Sequence, residues 1–173
     1  MTELLPTKNI QHFVPSEQTQ RSLRDAFGRF ATGVTVVTVG TDEGPIAITA
    51  NSFASVSMEP PLVLWSPQKS SKRSQYFLNA KYFAIHILAA DQDDLCWRVA
   101  KDMHALSGLD LVENSEGVPL IDGCLARFEC SQYAVHDGGD HDIIVGRVLR
   151  AAFVEEGDGL GFFKGKMNRI VTQ

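Results

Sequence analysis

LARFECSQYAVHDGGDHDIIVGRVLRAAFVE, Leu125 to Glu155, reads as two long strands around a polar loop containing Gly138 and Gly139. Both flanks are rich in β-branched and aromatic residues, which suit a pleated surface. Upstream, TGVTVVTVG from Thr32 is a Val/Thr-rich strand, and TDEGP from Thr41 is a turn. IAITANSFASVS from Ile46 reads as one bent strand, broken by MEPP because two prolines remove two backbone donors. LVLWS from Leu62 and KYFAIHIL from Lys81 are further strands, and GFFKGKMNRIVTQ from Gly161 closes the chain.

Helices are fewer. TQRSLRDAFGRF places Leu23, Phe27 and Phe30 at i, i+4 and i+7, the spacing of an amphipathic helix. SSKRSQYFLNA is expected as a helix opened by hydroxyl residues. DQDDLCWRVA is expected as a helix with Asp91 as N-cap and with Asp93 and Asp94 at its positive end. Residues 101–119 read as loop with one helical turn, and residues 1–18, with Pro6 and Pro15, as an arm ahead of one domain over 19–173. This order does not alternate strand and helix. The expected class is mainly β, an antiparallel barrel with peripheral helices. GDGLGF at Gly157 lacks the final glycine of a dinucleotide fingerprint and lies between strand-like segments rather than opening a helix, which argues against a Rossmann unit.

The 173 residues suit one hydrophobic core, and 44% hydrophobic with 21% charged residues is ordinary globular composition. A net charge of −5 argues against nucleic-acid binding. No apolar run approaches a membrane span, and the start of the chain lacks the pattern of a secretory signal. Three cysteines without a CxxC motif argue against a disulfide framework or zinc knuckle, so a reducing cytoplasm is expected.

Two segments could carry chemistry. Thr49, Asn51, Ser52, Ser55 and Ser57 crowd small donors and acceptors onto one strand. A planar ligand with hydrogen-bonding edges, such as an isoalloxazine ring, needs such groups; a solvated strand face is the other reading. Ser70, Ser71 and Lys72, at the expected start of a helix, suit a terminal phosphate, or form only a hydroxyl cap with a basic turn. The tip of the long hairpin, with His136, Asp137, Asp140, His141 and Asp142, could be a metal site, a plain polar turn, or a substrate-side histidine. Metal ligands sit on rigid elements, and the two glycines argue for a pliable loop and against metal. His86, inside FAIHIL, is expected to be a satisfied core or interface histidine.

Taken in order, FATGVTVVT at Phe30, ITANSFASVSMEPPLVLWS at Ile48, FAIHILAADQ at Phe83 and GDHDIIVGRV at Gly139 resemble the flavin reductase-like family, the FMN-binding split barrels. The resemblance covers about residues 20–170. It implies a Greek-key split barrel, usually homodimeric, that reduces FMN or FAD with NADH or NADPH, and it is compatible with supply of reduced flavin to an oxygenase partner. By position it implies Thr49, Ala50, Asn51 and Ser52 along the flavin ring and ribityl chain, with Ser66 at the end of the next strand. Ser70, Ser71 and Lys72 would take the phosphate, and His141 the nicotinamide side. No side chain is implied as a catalytic acid or base, because hydride transfer proceeds by ring stacking. Near the C-terminus, where the family often has Tyr or Arg, FFKGKM departs from the pattern, and no role carries over to Phe163, Lys164 or Lys166. No arginine cluster stands out, since Arg127, Arg147 and Arg150 are scattered along the strands. The other reading is a non-catalytic split barrel that holds flavin or haem.

Overall fold

A computed structural model describes residues 9–171. The long hairpin is its spine. β9 (Ala126–Gly138) and β10 (His141–Phe153) pair antiparallel along nearly their whole length, with irregularities at Val145/Gly146 and Val148/Arg150. Around them a seven-stranded antiparallel sheet runs β3-β2-β6-β9-β10-β5-β4. Its other members are β2 (Thr35–Thr41), β3 (Gly44–Ala50), β4 (Ala54–Met58), β5 (Pro61–Trp65) and β6 (Tyr82–Ile87). A second, three-stranded sheet joins β1 (Thr32–Gly33) to the terminal hairpin β11 (Gly159–Phe163) and β12 (Lys166–Ile170).

One connection forces the large sheet to curl. β3 and β4 are its two edges, yet Ala50 and Ala54 are four Cα steps apart, about 15 Å at most. A flat sheet of seven strands would separate its edges by about 29 Å. The sheet therefore closes toward a barrel, and Asn51–Phe53 crosses the gap between the edges. The expected single bent strand is two strands, because the chain must leave one edge and join the other.

Burial follows the closure. Val37, Val39, Ile46, Trp65, Phe83, Ile85 and Ile144 fill the interior. Phe77 of the short helix α2 (Ser74–Leu78) joins them, its ring edge-on to Trp65 at 5.0 Å. Gly146 of β10 keeps this core closed: an added Cβ would lie 2.6 Å from the Phe83 ring. The opposite face of β2 and β3 offers Val36 and Ala47 to Cys96 and Val99 of α3 (Asp93–Lys101), with Val34, Leu88 and Leu160. β2 is thus buried on both faces, which is why its sequence is continuously apolar apart from threonines. Of these, Thr35 donates to Ala50 O at 2.8 Å and Thr38 to Pro119 O at 2.6 Å.

Three local expectations change. α1 (Gln20–Phe27) fully buries no residue, and Phe27 and Phe30 are 70% and 78% exposed, so this end of the apolar stripe is left uncovered among the described residues. Asp91 is not an N-cap. It lies in a 3-10 turn (Ala90–Gln92), and Gln92 precedes α3, with Asp93 and Asp94 in the first turn as expected. Residues 101–119 are mostly turns, with β7 (Val112–Glu113) pairing β8 (Pro119–Leu120). The expected arm lies partly outside the described residues; from residue 9 to Pro15 the chain is exposed and without regular structure.

Candidate functional site

The gap between the edge strands holds the candidate site. Beyond the Thr35–Ala50 pair the β2–β3 ladder stops, and Asn51 to Phe53 form no ladder. Ser52 latches the far edge: its Oγ accepts from Ser66 N–H at 2.9 Å and donates to Ser66 O at 3.3 Å. On the near side, the Thr49 hydroxyl donates to Cys96 O at 3.0 Å, fixing α3 against β3. Between these latches lies a cavity of about 450 Å³, within the range for small-molecule sites. Its lining brings together Thr49, Ala50, Asn51, Ser52, Ser66, Ser71 and His141.

His141 arrives because the hairpin tip is tied down. Gly138 pairs with His141 across a two-residue turn in which Gly139 has φ +80°, the first-position glycine of a type II′ turn. Lys69 N–H donates to Asp140 O at 2.9 Å, and Asp142 N–H to Pro67 O at 3.0 Å. Lys69 is also ion-paired to Asp137. The tip is therefore a bound turn rather than a pliable loop, and its rigidity removes that argument against metal. Among the described residues, however, no group of three or more His, Cys, Asp or Glu side chains converges as a metal ion would require. His141 Nδ1 lies 2.8 Å from Asp140 Oδ1, whose carboxyl this bond holds below the usual range.

Two sequence expectations shift. α2 begins only at Ser74, so Ser70, Ser71 and Lys72 occupy the turn before it and do not open the helix. Ser71 lines the cavity, whereas Ser70 does not. Lys72 lines a neighbouring depression with Lys69 and Tyr76, which Ser71 also borders. The hydroxyls of Thr49 and Ser52 are committed to the walls and shape the site more than they face it.

The residue that sequence reading passed over is Arg73. Its Nη1 donates to Val99 O at 2.6 Å and Ala47 O at 3.3 Å, and its Nη2 to Ala100 O at 3.1 Å. It lines the cavity while joining β3 to the end of α3. Its only signal was its place in a basic turn. Trp97 was also missed: with Phe162, Met167 and Val34 it forms an apolar chamber that shares Thr49, Ala50 and Asn51 with the cavity. By contrast, Arg127 and Arg150 both pair with Glu129, away from the site.

A planar group with one polar edge and one apolar end fits this arrangement. The Asn51 side chain has no partner among the described residues, and it stands where the polar cavity meets the apolar chamber.

Residues 27–170 match the family described as flavin reductase like domain. The chain is 54% identical over 173 residues to the FMN reductase (NADH) SmoA of Agrobacterium fabrum, covering 100% of this chain and 99% of that protein. It is 37% identical over 151 residues to the reductase subunit HsaB of a flavin-dependent monooxygenase from Rhodococcus jostii, covering 87% and 77%. The solved structure of the NADH:FAD oxidoreductase SgcE6 of Streptomyces globisporus superposes with a TM-score of 0.86 at 36% identity, covering 94% of this chain and 99% of that one.

Proposed function

The chain belongs to the flavin reductase like family, and from that premise we propose that it is an NADH-dependent flavin reductase that reduces FMN in the cleft around Asn51. The observation that carries this reading is the barrel gap itself. Short polar groups border it on one side, apolar side chains on the other, and an unpartnered amide stands between them. FMN and NADH are the pair in the name of the relative that is 54% identical.

Bound flavin supplies the chemistry, accepting a hydride from reduced nicotinamide when the two rings stack. The protein positions. The Asn51 amide offers a donor and an acceptor to the polar edge of the ring, and the backbone of Asn51 and Ser52, beyond the last β2–β3 pair, lies beside it without ladder partners to compete. Ser66 is held in place by Ser52. Ser71 borders both the cavity and the Lys69–Lys72 depression, so a terminal phosphate there meets a hydroxyl and Lys72. His141, fixed by the turn, stands on the nicotinamide side.

We further propose a homodimer, built on the apolar residues that β9, β10 and β4 leave exposed, among them Tyr133, Leu149, Phe153 and Met58. Delivery of reduced flavin to an oxygenase partner follows from the likeness to monooxygenase reductase subunits. A cytoplasmic setting is supported by the free thiols of Cys96, Cys124 and Cys130. No described helix is long and apolar enough to cross a membrane.

Mixing the protein with NADH and FMN bleaches the visible flavin band under anaerobic conditions. No bleaching with NADH or NADPH removes the assignment. His141→Ala raises the KM for NADH about tenfold and changes the Kd for FMN less than twofold. An unchanged KM makes the hairpin tip purely structural.

A further inference from the structure

One side chain stands between the hairpin tip and the depression before α2. Lys69 borders that depression, a space of about 650 Å³, together with Ser71, Lys72, Ser74 and Asp142. Two of these groups are uncommitted. Ser74 is buried, and its hydroxyl has no partner among the described residues, which suits an oxygen brought by a ligand. Lys72 forms no ion pair among the described residues.

Lys69, by contrast, is engaged by two carboxylates. Asp137 on β9 and Asp142 on β10 are partners in register, directly opposite each other at the base of the turn that carries His141. Like charges so placed repel across a strand pair. The Lys69 ammonium offsets that repulsion: it is bonded to Asp137 and stands 3.9 Å from Asp142 Oδ1. Its bond to Asp137, joined by the charges of Asp142 and Asp140, holds its pKa above the ordinary lysine value. The main chain adds Lys69 N–H to Asp140 O at 2.9 Å, Asp142 N–H to Pro67 O at 3.0 Å, and a bridge between Gln68 and His141. Segment 67–69 therefore holds the tip by its backbone and balances its charge with one ammonium.

We propose that Lys69 is a positioning residue shared by the hairpin tip and the flavin phosphate, so that flavin and nicotinamide oppose each other through one ammonium. The proposal rests on the flavin reductase reading, with the phosphate beside Ser71 and Lys72. A phosphate monoester carries a charge of about −1.5 to −2 near neutral pH, more than a carboxylate. The side chains of Lys69 and Asp137 are 38% and 79% exposed, and an ion pair so open to water is weak. The phosphate draws the ammonium toward the depression. Asp137 and Asp142 then face each other uncompensated, and the base of the turn loosens under His141. By linkage the effect is mutual: nicotinamide held by a firm tip weakens the grip on the phosphate.

Flavin titrations followed by fluorescence quenching test one side and need no turnover. Lys69→Met weakens FMN about threefold and Asp137→Asn tightens it about twofold, as befits an exposed pair, while neither changes the Kd for riboflavin, which lacks the phosphate. Opposite signs at the two ends of one ion pair do not arise from a folding defect. Steady-state kinetics test the other side. Lys69→Met raises the KM for NADH about threefold, more than it lowers kcat. Adding Asp137→Asn to Lys69→Met brings that KM back toward wild type, because one of the two facing charges is gone. The proposal is overturned if Asp137→Asn leaves FMN binding unchanged, weakens it, or shifts FMN and riboflavin alike. It is equally overturned if Asp137→Asn fails to correct the KM of Lys69→Met. Failure of wild type to bleach FMN with NADH would instead indict the reductase reading, because the flavin titrations do not depend on turnover.

Discussion

Arg73→Ala costs about 2–3 kcal/mol of stability and weakens FMN binding tenfold or more. One guanidinium bridges Ala47 O on β3 to Val99 O and Ala100 O near the end of α3. Val99 and Ala100 are in the last turn of the helix, where carbonyls lack partners within it and a cation is favoured by the helix dipole. Charge-assisted bonds contribute about 1.5–3 kcal/mol each when well formed. Three from one partly exposed group do not add in full, which sets the figure given. Binding suffers because α3 and β3 together form one wall of the cleft. Arg73→Lys does not restore it, since an ammonium lacks the planar fork that reaches carbonyls on two elements. Urea unfolding and flavin titration measure the two effects. Wild-type values for Arg73→Ala in both would show that the bridge contributes nothing.

The second large effect is one of pH. His86 is fully buried, its Nδ1 3.0 Å from Val36 O and its Nε2 3.1 Å from Ile121 N. The Ile121 N–H must donate, so Nε2 accepts, and Nδ1–H donates to Val36 O. That network requires the neutral ring. Burial pushes its pKa down to about 4, against about 6.5 when unfolded. Below pH 6.5 the unfolded chain takes up a proton that the folded chain refuses. Stability therefore falls between about pH 6.5 and pH 4 and levels off below, a loss of about 3 kcal/mol from this group. His86→Gln keeps a donor and an acceptor but cannot titrate, so its stability is flat between pH 7 and pH 5. An equal slope in wild type and variant would place the pH dependence elsewhere.

How far these features were legible differs from residue to residue. The spine was plain, because Leu125–Glu155 combines β-rich flanks with a turn that only a glycine at positive φ can make. The satisfied core histidine was foreseeable from His86 inside an apolar strand. The gathering of Thr49, Asn51, Ser66, Ser71 and His141 was reached through the family resemblance, not through spacing, for these residues lie on four separate segments.

Local sequence thus determined the strands, the turns and the polar character of the Asn51 segment, since alternation, β-branching and glycine act over a few residues. What it could not determine depends on closure. Ala50 and Ala54 had to reach opposite edges of one sheet before a gap existed for the cleft. The hydroxyls of Thr49 and Ser52 became latches only when α3 and Ser66 came within hydrogen-bond reach. Arg73 found its three carbonyls, and Lys69 its two carboxylates, through contacts that span tens of residues of chain. Tertiary structure decided these because hydrogen bonds and charge act over ångströms of space, and only the closed barrel sets those distances.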